Sequence, residues 1–327
     1  MTVAARLDRY QREHSWVGFP IAVAYKFFDD RGPYLAAMVT YYGFVSLFPL
    51  VLLFLSALGF FLEANPGLRH QLAQSALAGV PVIGPQLHGN VRELRGSGTR
   101  LVITVAGALY GGLGAMQSAQ AGFNQIYAVP RNAQPNPVRS RLRSFVLLLM
   151  LGGAVLLSTV ATTLVAVVGA VTAALGPGLR LLGYLLSFAI NAALFTAAMR
   201  LLTARDLPTR RVVTGGLIAA ACWAVLQTEG TRFVTHRLSH ASALYGVFGV
   251  VLAAFAWIYL QAFVLMLSAE INMVANHRLW PRALLTPFTD NADLTEADRR
   301  AYTMYAEAQR FKGFEQIKVG WSRSEAR

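Results

Sequence analysis

The sequence predicts an all-α, polytopic integral membrane protein with six transmembrane helices, both termini on the inner side, and amphipathic helices at the interface. Three observations carry that expectation. Of 327 residues, 55% are apolar and only 14% are charged, against roughly 25% charged in soluble domains. The apolar residues gather into six runs long enough for a helix to cross a hydrocarbon layer of ~30 Å, which takes about 20 residues. The Lys and Arg residues fall mainly in alternate connecting segments, as the positive-inside bias requires.

Residues 1–34 form a cytoplasmic segment in this reading. Trp16, Phe19, Val23, Tyr25 and Phe27, with Lys26 and Arg31 nearby, suggest a short helix. It lies either in the interface, with its aromatics in lipid, or packed on the bundle. The transmembrane domain covers 35–280. Its first span, Leu35 to Leu62, has no formal charge, and Pro49 inside it should kink the helix and free a carbonyl. Residues 64–99 make an outer loop long by bundle standards, with two short amphipathic helices expected there. The second span, Leu101 to Phe123, is rich in Gly and Ala; Gly107, Gly111, Gly112 and Gly114 give it a small face for close helix approach. The third, Phe145 to Leu175, is long enough to need tilt. A Gly176-Pro177-Gly178 turn leads into the fourth, Leu181 to Leu202. The fifth runs from Val212 to Thr235 and the sixth from Ala243 to Ala275. Residues 281–327 form a polar cytoplasmic tail with one short helix.

The charge count tests this layout independently of hydropathy. Five Lys and Arg residues lie in 1–31, four in 124–143, four in 200–211 and nine after 276, leaving seven of the 29 for the other side. The net charge of +13 is therefore explained by topology and by attraction to anionic lipid head groups, and nucleic acid is not expected as a partner. The single cysteine, Cys222, excludes an intrachain disulfide and a multi-cysteine zinc site. No cleavable leader is expected. Walker, HExxH and GxSxG patterns are absent, and the six His residues are spread over both sides, so neither an enzyme, a metal site nor a cofactor is expected.

Polar groups inside lipid need a partner, a cavity or a pathway, which makes them the candidates for a substrate path. The fifth span holds Gln227, Glu229 and Arg232, with His236 further on. Glu229 and Arg232 share a helical face, either as an intrahelical ion pair or as part of a substrate or proton path. Glu270 and Asn272 lie near the inner end of the sixth span, where the carboxylate can reach the interface or pair with the Arg-rich loops. Asn191, more central in the fourth span, is suited to bonding a neighbouring helix or meeting a polar ligand. Tyr42 and Ser46 precede Pro49 by one to two turns and can satisfy its freed carbonyl or face a cavity. Tyr245, opening the sixth span in Tyr245-Gly246-Val247-Phe248-Gly249, belongs either to close packing or to a hinge. Small-residue faces permit a homo-oligomer without requiring one.

The order of these motifs resembles the YihY/BrkB family of bacterial inner-membrane proteins. The residues that carry the resemblance are Thr40-Tyr41-Tyr42-Gly43-Phe44-Val45-Ser46-Leu47-Phe48-Pro49, Asn124-Gln125-Ile126-Tyr127, Tyr245-Gly246 with Phe248-Gly249, Trp257-x-Tyr259, and Ala269-Glu270-Ile271-Asn272. Together they span about residue 20 to residue 280. The resemblance implies a six-helix protein of the cytoplasmic membrane linked to envelope integrity, serum resistance and transport of a lipid or lipid precursor. It brings no agreed catalytic residues. The family's older label, ribonuclease BN, finds no chemical support in these residues. Where the family's usual Tyr-Gly-Ser block has its serine, this chain has Val247.

Overall fold

A computed structural model describes residues 3–61, 98–150, 152–153, 177–233, 239–286, 289 and 292–321. Among them the chain is helical, with no strand. Helix α1 is Val3–Glu13, α2 Ser15–Asp29, α3 Gly32–Phe61 and α4 Gly98–Ile126. The described part of α5 covers 137–150 and 152–153. Then come α6, Pro177–Leu202; α7, Thr209–Phe233; α8, Ser239–His277; and α9, Glu296–Ala308. The outer loop, His236 and most of the third span lie outside the described residues.

Three of these helices contain stretches long and apolar enough to cross a membrane: Tyr184–Leu202, Thr209–Glu229 and Val251–His277. Most of each stretch is unburied within the chain, as expected for surfaces whose solvent is hydrocarbon rather than water. Helix α8 is the centre, in contact with α2, α3, α4 and α7. Phe27, Phe123, Ile126, Met199, Met266 and Met273 fill the principal core, where α2, α4, α6 and α8 converge.

The tightest seam joins α3 to α4. A Cβ placed on Gly111 would lie 2.6 Å from Ser46 Cα, one on Gly114 2.2 Å from the Tyr42 ring, and one on Gly107 3.2 Å from Pro49 Cγ. Glycines spaced four and three apart therefore meet Pro49, Ser46 and Tyr42 of the antiparallel partner in register. The small face read from the sequence is the contact surface, and backbones approach because no side chain stands between them.

The basic segments gather at one end of the bundle. Asn132 N donates to Arg310 O at 3.0 Å, Ala204 N to Asn124 Oδ1 at 2.7 Å, and Asn276 Nδ2 to Arg211 O at 2.6 Å. Helix α2 is packed on the bundle: Ala22, Val23, Lys26 and Phe27 are buried against it. Of the aromatic residues read from the sequence, Phe27 is buried and Trp16 stays largely exposed. Helix α9, the expected tail helix, starts with a capping box in which Thr295 and Asp298 satisfy each other's backbone N–H groups. Asp298 is buried, so the tail is docked rather than trailing.

Candidate functional site

Two charged clusters and one groove occupy the basic end. The first cluster begins with Lys26 on α2, whose long side chain reaches inward between α4 and α8. Its Nζ donates to Ile126 O at 3.1 Å, pairs with Asp30 one turn later, and lies 3.2 Å from Glu270 Oε2. The ammonium thus donates to Asp30 and Ile126 and faces Glu270 as an ion pair, while both buried Glu270 oxygens lack a hydrogen-bond donor among the described residues. The Tyr305 ring of α9 lies 5.5 Å from the same nitrogen. Lys26 and Glu270 are fully buried and Asp30 nearly so. Burial alone lowers the Lys26 pKa, but the Glu270 and Asp30 carboxylates outweigh it and hold the ammonium above its ordinary range. Burial pushes the Asp30 carboxyl up, against the opposing pull of Lys26.

Asn272, also fully buried, extends this cluster. Its Nδ2 donates to Tyr127 Oη at 2.9 Å, and its Oδ1 accepts from Gly215 N at 3.3 Å. Burial pushes the Tyr127 phenol up to about 12. A Cβ on Gly215 would lie 2.8 Å from Asn272 Cβ, so the glycine makes room for the amide.

The second cluster centres on Arg282, just beyond α8. Its guanidinium pairs with Asp298 of α9 and, at 3.3 Å, with Asp29 at the end of α2. Ala283 N donates to Asp298 Oδ2 at 3.0 Å, and the Tyr302 ring stacks beneath the cation at 5.3 Å. Gln11 Nε2 donates to Arg282 O, and Leu284 N to Asp8 Oδ1 at 2.9 Å. The N-terminal helices, the end of α8 and the tail are thus fastened to one another.

The predicted residues divide between these clusters and other places. Glu270 pairs with Lys26 rather than with the Arg-rich loops, because α2 folds over the end of α8 and delivers the ammonium first. Tyr42, Ser46 and Pro49 lie against the glycines of α4. Ser46 Oγ donates to Gly43 O at 2.9 Å, two residues before Val45, whose carbonyl Pro49 releases. Asn191 Nδ2 donates to Ser187 O at 2.9 Å, within its own helix. Gln227 is half-buried and Glu229 exposed on α7. Tyr245 lies within continuous α8 rather than at a turn; its side chain and that of Arg232 lie outside what the structure describes. The sequence assigns no site role to Lys26, Asp30, Tyr127, Arg282 or Asp298, although it places Lys26 beside the interfacial aromatics and Tyr127 in a family block. The i, i+4 spacing of Lys26 and Asp30, directly before an uncharged span, was the available signal.

An open groove of about 830 Å³ lies between α5 and the end of α6. Arg139, Arg143, Arg200 and Arg205 line it together with Asp206, and Leu142, Val146, Leu147, Met150, Ala197 and Leu201 supply apolar walls. Arg143 donates to Leu201 O and Thr203 O, both at 2.7 Å, covering carbonyls left open where α6 ends. Burial lowers its pKa without a paired carboxylate. Among the described residues no cluster of His, Cys, Asp and Glu is arranged to hold a metal.

The family model for Virulence factor BrkB matches residues 23–290. This chain belongs to the BrkB family. The BrkB match contains Lys26, Asp30, Glu270, Asn272, Arg282 and the groove arginines, while α1 and α9 lie outside it. A UPF0761 membrane protein of Psychrobacter sp. (strain PRwf-1) is 23% identical over 292 residues, which is 86% of this chain and 53% of the relative. The BrkB chain therefore spans about half the length of that relative. No solved structure matches it.

Proposed function

We propose that this BrkB-family membrane protein crosses the bacterial cytoplasmic membrane six times with both termini inside, and supports envelope integrity by moving or handling a lipid or similar amphipathic molecule. It does so without bond-making chemistry. The observation that carries this reading is the groove at the basic end, in which cationic side chains and apolar walls adjoin. An amphipath presents the same two chemistries in the same order, and the volume falls within the ~300–1,000 Å³ typical of small-molecule sites. Basic residues at the rim draw anionic head groups from the inner leaflet.

A scaffolding role is the second reading. It is favoured by the α3–α4 seam, where Tyr42, Ser46 and Pro49 are engaged in helix packing. Purified protein in vesicles carrying a fluorescent phospholipid separates the two. Lipid handling expects faster exchange of label between leaflets than in protein-free vesicles. Unchanged exchange, by a protein that restores envelope integrity to a deletion strain, would leave the scaffold.

A further inference from the structure

We infer that the groove between α5 and α6 is a binding site for an anionic phospholipid, whose phosphate takes the place of the Asp206 carboxylate beside Arg200. This assignment rests on the lipid-handling reading and names the ligand and its seat.

One face of α5 carries the argument. Arg139, Arg143, Val146 and Met150 follow each other at spacings of four, three and four, with Leu142 three after Arg139 beside them, which stacks them along a single stripe. The stripe changes character along its length: cationic in the first turn, apolar afterwards. From Arg143 to Met150 it extends about 10 Å at ~1.5 Å per residue. Leu142 and Met150 are 65% and 52% exposed, so the apolar part is available to an acyl chain. A free phosphate has no use for that wall, and a neutral amphipath has no use for the arginines.

The charge arrangement points to the head group. Four guanidinium groups share the groove with one carboxylate. Arg200 donates to Thr209 Oγ1 at 2.6 Å, which fixes one end of its guanidinium at the groove. Its contact with Asp206 is 3.9 Å, and the Asp206 side chain is 99% exposed. A pair so long and so hydrated contributes little, so a phosphate able to accept two or more charge-assisted bonds displaces it readily. Arg143, spent on the Leu201 and Thr203 carbonyls, contributes its charge to the groove without direct bonds.

The test is competitive lipid binding to the full chain in detergent, read by native mass spectrometry, with phosphatidylglycerol, phosphatidylcholine and glycerol 3-phosphate as probes. Arg139→Gln/Arg205→Gln is the informative variant, because both residues are exposed and the fold does not depend on them. The wild type should prefer phosphatidylglycerol to phosphatidylcholine, and the double variant should lose about tenfold of that preference, given the usual worth of bonds to charged groups. Asp206→Asn should tighten phosphatidylglycerol binding. An undiminished preference in the double variant, or equal binding of the two lipids by wild type, overturns the site. Competition by glycerol 3-phosphate as strong as by the lipid would reassign the arginines to a soluble phosphate and also overturn it. Arginine-dependent binding together with unchanged leaflet exchange leaves the site standing and removes lipid movement; exchange that persists in the double variant without binding does the reverse.

Discussion

Lys26 Nζ and Glu270 Oε2 meet 3.2 Å apart in the interior, brought together from opposite ends of the sequence. One ammonium there serves two carboxylates, Glu270 and Asp30, and the Ile126 carbonyl. Such a group stabilises little in absolute terms, because desolvation offsets attraction, but breaking it is costly.

Lys26→Met should therefore destabilise the protein by roughly 3–5 kcal/mol, since it leaves two acids buried without their cation. Glu270→Gln should cost less, because Lys26 keeps Asp30. Thermal unfolding of both variants in the same detergent gives the order; a larger loss for Glu270→Gln would contradict the account.

The α3–α4 seam predicts a contrast among glycines. Gly111→Ala places a methyl group 2.6 Å from Ser46 Cα, so backbones must separate, at about 1–3 kcal/mol. Gly313→Ala meets nothing within 4 Å and should leave stability unchanged. Unfolding curves and the yield of folded protein report both.

At the tail, Asp298→Ala removes the capping partner of Thr295 and the carboxylate facing Arg282. Half of the capping box is lost, since Thr295 still accepts from the backbone N–H of residue 298, and Arg282 keeps only Asp29 at 3.3 Å as its carboxylate; together these should cost about 1–3 kcal/mol. Limited trypsin digestion should then cut near Arg299 and Arg300 well before the rest of the chain. Equal protection in variant and wild type would show α9 held by other contacts.

Alkaline titration reads the burial of the Tyr127 phenol, which outweighs the opposing pull of the Asn272 amide that donates to it. The folded phenol ionises at about 12, above the ordinary value near 10. Its contribution is fully present below pH 10 and is lost as pH rises through about 12. Tyrosinate absorbance should show a late-titrating phenol that disappears in Tyr127→Phe, and the variant should lose less stability than wild type between those pH values.

Hydropathy by itself determined the all-helical class, the approximate helix ends and the membrane setting, because hydrocarbon forces each crossing segment to satisfy its own backbone bonds. The glycine face of α4 was legible for a similar reason: spacing along one helix is a property of local sequence. The tertiary structure alone decided the partners. That Lys26 would serve Glu270, that Asp298 would be buried against Arg282, and that Arg139 and Arg143 would face Arg200 and Arg205 across a groove depends on how separate helices are juxtaposed. Charged side chains are chosen there by distance in space and by shared desolvation, neither of which leaves a periodic signal along the chain. Tyr42, Ser46 and Pro49 illustrate the converse. Their sequence pattern marked them as special, and only the position of α4 made them a packing surface.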